Sequence, residues 1–150
     1  MNTEENKLGI TKEEYDLFIS DNVDYYMGDG RFIFVAMFLG FAWFLWRKMY
    51  VYALLIIIGS LSLRIILTFI IESDSTYIIL NPILTVTISL IYGFYGKSLY
   101  LNFTKQKIMK IKMENEDPEK QKQLIEKSGG INPAAAIIAT ILFFLFPYVI

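Results

Sequence analysis

Apolar positions gather into four runs separated by polar stretches. The first, residues 32–46, reads FIFVAMFLGFAWFLW, every position apolar or Gly. At 1.5 Å rise it reaches only about 22 Å, against a hydrocarbon core of about 30 Å. It therefore either spans a thinned bilayer or lies re-entrant or interfacial. The second, residues 49–71, carries a single charge, Arg64, and is long enough for a transmembrane helix. After a polar break at 72–76, a second spanning helix is predicted to open at Asn81-Pro82. There Asn would cap the helix, and Pro would occupy the first turn, where its missing N–H costs nothing. This helix runs to about Leu101. The same opening recurs at Asn132-Pro133, ahead of AAAIIATILFFLF, and Pro147 is expected to end the last helix.

The polar stretches carry their own signals. Residues 1–31 form an acidic N-terminal segment, distinct from the membrane domain at 32–150. This segment lacks the basic start and apolar core of a secretory signal, so it is expected to remain in the mature chain. Thr11 and Glu14 have capping-box spacing, which predicts a short amphipathic helix through Tyr15, Leu17, Phe18 and Ile19. Gly28 and Gly30 then break the chain. Residues 97–127 hold eight lysines and five acidic residues. A helical extension to about Met113 is expected there, followed by a shorter helix from Pro118 to Lys127. Asp117 would cap that helix and Gly129-Gly130 would stop it. Leu101, Ile108 and Ile111 suit a helix running along the membrane surface.

Composition narrows the class. The chain is 55% hydrophobic and 19% charged, with a mean hydropathy of +0.44. It resembles an all-α integral membrane protein. Three to four membrane helices are expected, one short or re-entrant, with an N-terminal amphipathic helix and a cytoplasmic helical loop. The absence of Cys and His excludes thiol nucleophiles, Ser-His relays and metal sites built on those residues, and no cofactor is expected. A net charge of −1 gives no bulk attraction to nucleic acid. The lysine-rich segment and Arg47-Lys48 are placed in the cytoplasm by the positive-inside rule, and the turn at Glu72 and Asp74 outside. The C-terminus is then outside. The N-terminus is outside if 32–46 spans and cytoplasmic if it is re-entrant. A plasma or inner membrane location follows from this arrangement as an expectation.

Several segments together suggest a family. An acidic helix with Asp24-Tyr25-Tyr26 precedes an apolar aromatic run and the junction Arg47-Lys48-Met49-Tyr50, followed by VYALL. Later come Gly96-Lys97-Ser98-Leu99-Tyr100-Leu101, the stretch Lys107-Ile108-Met109-Lys110-Ile111, and Gly129-Gly130. From about Phe18 onward, the chain resembles a bacterial family known only as domain of unknown function 2628. Members typically show the tyrosine pair, the apolar stretch and the RKMY junction. Many have Asn-Arg or Asn-Ala where Gly96-Lys97-Ser98 stands here. Some members carry a zinc ribbon ahead of this domain, which implies a cytoplasmic N-terminus. The resemblance implies a fold and no activity.

Candidate chemistry is sparse. Arg64 is the one charge inside a span, where a guanidinium costs at least about 2.5 kcal/mol. It could bind an ion or substrate, or form an anion-selecting ring in an oligomer. Equally, it could snorkel to the interface or pair with Asp74 or Thr85; Glu72 lies too far along the same helix. Lys105, Lys107, Lys110 and Lys112 are candidates for lipid headgroups, or else only set the topology. Tyr25 and Tyr26 are read as a membrane-surface anchor or a docking point. Gly93 and Gly96 suit close helix packing. Asp21, Asp24 and Asp29 do not have the spacing of a calcium loop and read as a solvated face. The spans between 49 and 101 contain no carboxylate, and no enzymatic activity is expected. The leading expectation is a non-enzymatic accessory protein that contacts the bilayer, a second copy or another membrane protein. A homo-oligomeric channel or small-solute transporter with Arg64 lining its path is the alternative.

Overall fold

The N-terminal helix forms where its local signals place it. In the computed structural model, which describes residues 9–71 and 74–145 and the side chains of 9–71 and 76–141, α1 spans Lys12–Ile19. Its capping box is complete: Thr11 Oγ1 accepts from the Glu14 N–H, and Glu14 accepts from the Thr11 N–H at 2.7 Å. After a short bend, α2 (Val23–Met27) ends at Gly28, as the glycine signal predicted.

The apolar run 32–46 is not one helix. It divides into α3 (Phe34–Leu39) and α4 (Phe41–Trp46), separated by Gly40 at φ +52°. A β-carbon is strained in that backbone region, and glycine occupies it without penalty. Each half rises only about 9 Å, well short of a hydrocarbon core of about 30 Å. α3 packs on the second of the two long helices that follow, and α4 packs on the first of them and on the last helix of the chain.

Residues 49–71 do form one helix, α5 (Tyr50–Ile70). The predicted start at Asn81-Pro82 is a correction: α6 runs unbroken from Asp74 to Glu114, with Pro82 in its interior. Pro82 is the ninth residue of α6, past the four N–H groups that a helix start leaves free, so the helix continues through it at the loss of one bond, to the Ile78 carbonyl. Asn81 therefore does not cap a helix; its side chain faces α5 instead. At 41 residues, α6 is about 61 Å long, twice the hydrocarbon thickness.

Two shorter helices complete the chain. α7 (Pro118–Ser128) has Asp117 as its cap, accepting from the Glu119 N–H. α8 begins at Pro133 and is described to Leu145. Asn132 Oδ1 accepts from the Ala135 N–H, so this second Asn-Pro pair does begin a helix. The expected stop at Pro147 lies outside the described residues.

Burial is concentrated at one end. Phe18, Ile19, Tyr100, Ile108 and Ile125 are fully enclosed where α1, α7 and the second half of α6 meet. The apolar face of α6 at Ile108 and Ile111 is thus covered by the chain's own helices, not laid on a membrane surface. The other end is open. Two helices, α5 and the apolar first part of α6, are long and apolar enough to cross a membrane. Only 6% of the apolar window in each is buried, which distinguishes them from core helices of a soluble domain.

Candidate functional site

The open end contains the most unusual polar group. α5 and α6 hardly approach through their backbones; α5 leans on α4, and α6 on α3 and α7. Long side chains bridge the gap. Arg64 Nη1 donates to Asn81 Oδ1 at 3.1 Å, and Nη2 donates to Thr85 Oγ1 at 3.3 Å. Thr85 donates its own proton to the Asn81 carbonyl at 2.9 Å, which leaves its lone pair for Arg64. Deeper along the pair, Ser60 and Tyr92 hydroxyls lie 3.3 Å apart.

Behind these bridges is a cavity of about 390 Å³. Ile56, Ile57, Leu61 and Ile88 form much of its wall, Gly40 and Ala42 close one side, and Arg64 stands at one end. Both partners of Arg64 are neutral, and among the described residues no carboxylate lies within ion-pair distance of it. Thr85 is therefore the partner that the sequence foresaw, and Asn81 the one it missed by reading it as a cap. Glu72 lies outside the described residues, and of Asp74 only the backbone is described.

A second polar cluster lies at the closed end. Arg47 is 5% exposed and makes an ion pair with Asp21 at 2.7 Å. Its Nη2 donates to the Tyr26 hydroxyl at 2.8 Å, and its guanidinium lies over the Tyr26 and Tyr100 rings. Burial pushes the Tyr26 phenol above its usual range, with Arg47 pulling part of that back; it stays neutral and accepts the bond. Tyr26 is thus a buried partner of Arg47, not a surface anchor. Tyr25 remains half exposed and donates to the Phe32 carbonyl at 2.8 Å.

Two lysines act as backbone clamps. Lys97 is buried, and its ammonium collects the carbonyls of Tyr25, Gly28 and Gly30, the first at 3.1 Å. Sequence reasoning took it for a topology marker, because nothing local reveals a cation that serves a loop 70 positions away. Lys48 donates to the carbonyls of Lys127 and Gly129, satisfying the end of α7. Of the four lysines considered for lipid, Lys112 is held by Glu14 at 2.8 Å and by the Gly9 carbonyl, facing α1. Lys110 reaches Glu114 at 3.7 Å, and Lys107 lies over the Phe103 ring. Lys105 lines a shallow groove with Arg31 and Ser98.

Gly93 and Gly96 serve packing, as expected. A β-carbon at Gly96 would stand 3.2 Å from Ala36 Cβ, and one at Gly93 would meet the Phe32 ring. These glycines let α3 lie directly on α6.

No curated protein and no solved structure matches the chain. A family model does, over residues 21–106, and its description is "Protein of unknown function (DUF2628)". The matched stretch contains Asp21, Tyr26, Arg47 and Tyr100, which the fold gathers into one cluster, and Arg64 with both its partners. Matched over more than half its length, the chain belongs to the DUF2628 family.

Proposed function

We propose that the protein is a small multi-pass membrane protein without enzymatic activity, an accessory that works by binding within the bilayer. One observation carries this reading: the apolar faces of α5 and α6 are left uncovered, while the opposite end of the molecule is a closed core. Uncovered apolar helices of this length belong in lipid or against another membrane helix. The turn between α5 and α6 faces outside and the lysine-rich end of α6 faces the cytoplasm, in keeping with the distribution of basic residues. With α3 and α4 each too short to cross, the N-terminal helices share the cytoplasmic side.

The transport alternative draws on the same Arg64. Along α5, however, the groove is lined only from Ile56 to Arg64, a rise of about 12 Å against a bilayer core of about 30 Å. A groove of that reach suits binding better than passage. Liposomes loaded with a chloride-sensitive or pH-sensitive dye test the choice. The accessory reading expects flux no greater than that of empty liposomes. Reproducible flux abolished by Arg64→Gln overturns it in favour of the channel.

A further inference from the structure

Arg64 stands at one end of an apolar groove, and among the described residues its hydrogen-bonding capacity is only partly used. A guanidinium has five N–H donors, and Asn81 and Thr85 take one each. Neither neutralises its charge. Leaving a cation so placed is costly, and an oxyanion offers both the missing charge and a fork-shaped acceptor. The rest of the wall has no use for a small hydrated ion. It is mostly apolar, with Ile56, Ile57, Leu61 and Ile88 among its side chains; of its hydroxyls, those of Ser60 and Tyr92 face each other, that of Thr140 donates to the Ala136 carbonyl, and Ser89 adds one more.

The geometry also sets a direction. Arg64 is six residues from the end of α5 at Ile70, about 9 Å from the turn. From Arg64 the groove runs away from that turn, toward Tyr92 and Gly40. A lipid of the leaflet on the turn side points the same way, its head toward the turn and its chain toward the midplane. The separation of α5 from α6, bridged only by side chains, is the space such a chain would fill.

We propose that the groove between α5 and α6 binds one anionic amphiphile from the bilayer, its carboxylate or phosphate head on Arg64 and its acyl chain lying toward Tyr92. The assignment rests on α5 and α6 lying in a bilayer. A volume of about 390 Å³ is at the small end of ligand sites and suits one chain better than two.

Photolabelling of the purified full chain in a neutral detergent tests this. Palmitate carrying a diazirine is expected to label the 56–64 and 85–92 segments about tenfold more than hexadecanol carrying the same group. Arg64→Gln should bring the palmitate signal down to that of the alcohol. Ile57→Trp, which fills the groove and leaves Arg64 in place, should lower labelling by both probes. Equal labelling by acid and alcohol, or adducts outside these segments, overturns the proposal. Loss of the palmitate signal with millimolar inorganic phosphate assigns Arg64 to a free oxyanion and overturns the amphiphile. A chain that stays soluble and monodisperse without detergent defeats the bilayer reading itself, an outcome separate from failed labelling of a detergent-dependent protein.

Discussion

The two ends of the molecule solve burial differently. At the α1–α7 end, polar and apolar groups alike are enclosed: Phe18 is 1% exposed, and the buried Arg47 is matched by Asp21, Tyr26 and two ring faces. At the α5–α6 end Phe69 is 84% exposed, and Arg64 is bonded only by neutral groups among the described residues. The first end carries its own solvent-excluding surroundings. The second leaves them to whatever lies outside the chain. A charge enclosed by the fold is paired within it; a charge at the open end keeps donors to spare.

The sharpest check compares two phenylalanines. Phe18→Ala should cost about 3–5 kcal/mol, and Phe69→Ala under about 0.5 kcal/mol, measured as thermal midpoints in detergent. Equal losses would mean that the open end is packed in solution. Arg47→Met is expected to cost about 2–3 kcal/mol, since it removes charge-assisted bonds to Asp21 and Tyr26. Arg64→Met, by contrast, should leave the midpoint unchanged or raise it. Lys97→Met deprives three carbonyls of their donor, at about 1–3 kcal/mol in all. Hydrogen exchange at 28–31 should quicken in that variant before the core of α6 responds. Asp21→Asn is expected to cost less than the loss of Arg47 itself, about 0.5–1 kcal/mol, because Asp21 is 47% exposed and water screens the pair.

Local signals carried most of the secondary structure. The Thr11–Glu14 box, Asp117-Pro118 and Asn132-Pro133 each act within one turn, and each begins a helix where its residues imply. Asn81-Pro82 has the same local form and failed, because Thr76 and the apolar residues after it continue the helix backward to Asp74. Gly40 was likewise invisible in a run read for hydrophobicity alone. The sites depended on partners far along the chain. Arg64 stood out by itself as a charge in an apolar run, and Thr85, a polar group on another span, was one of the two partners named for it. Arg47 and Lys97 looked like topology markers, since their partners lie 21–26 and 67–72 positions away. The family resemblance came closest, for its tyrosine pair and its RKMY junction meet in space as Tyr26 and Arg47.

The unbroken length of α6 has a mechanical meaning. One rod begins beside Arg64's partners and ends clamped between α1 and α7, so the two ends of the molecule cannot turn independently while it stays helical. A membrane helix adjusts its tilt to bilayer thickness. Over an arm of about 30 Å, a tilt change of about 10° swings the tip by about 5 Å. Lipid thickness, or an occupant wedged beside Arg64, would thus be converted into displacement of the lysine-bearing end, as a lever converts a small rotation into a stroke.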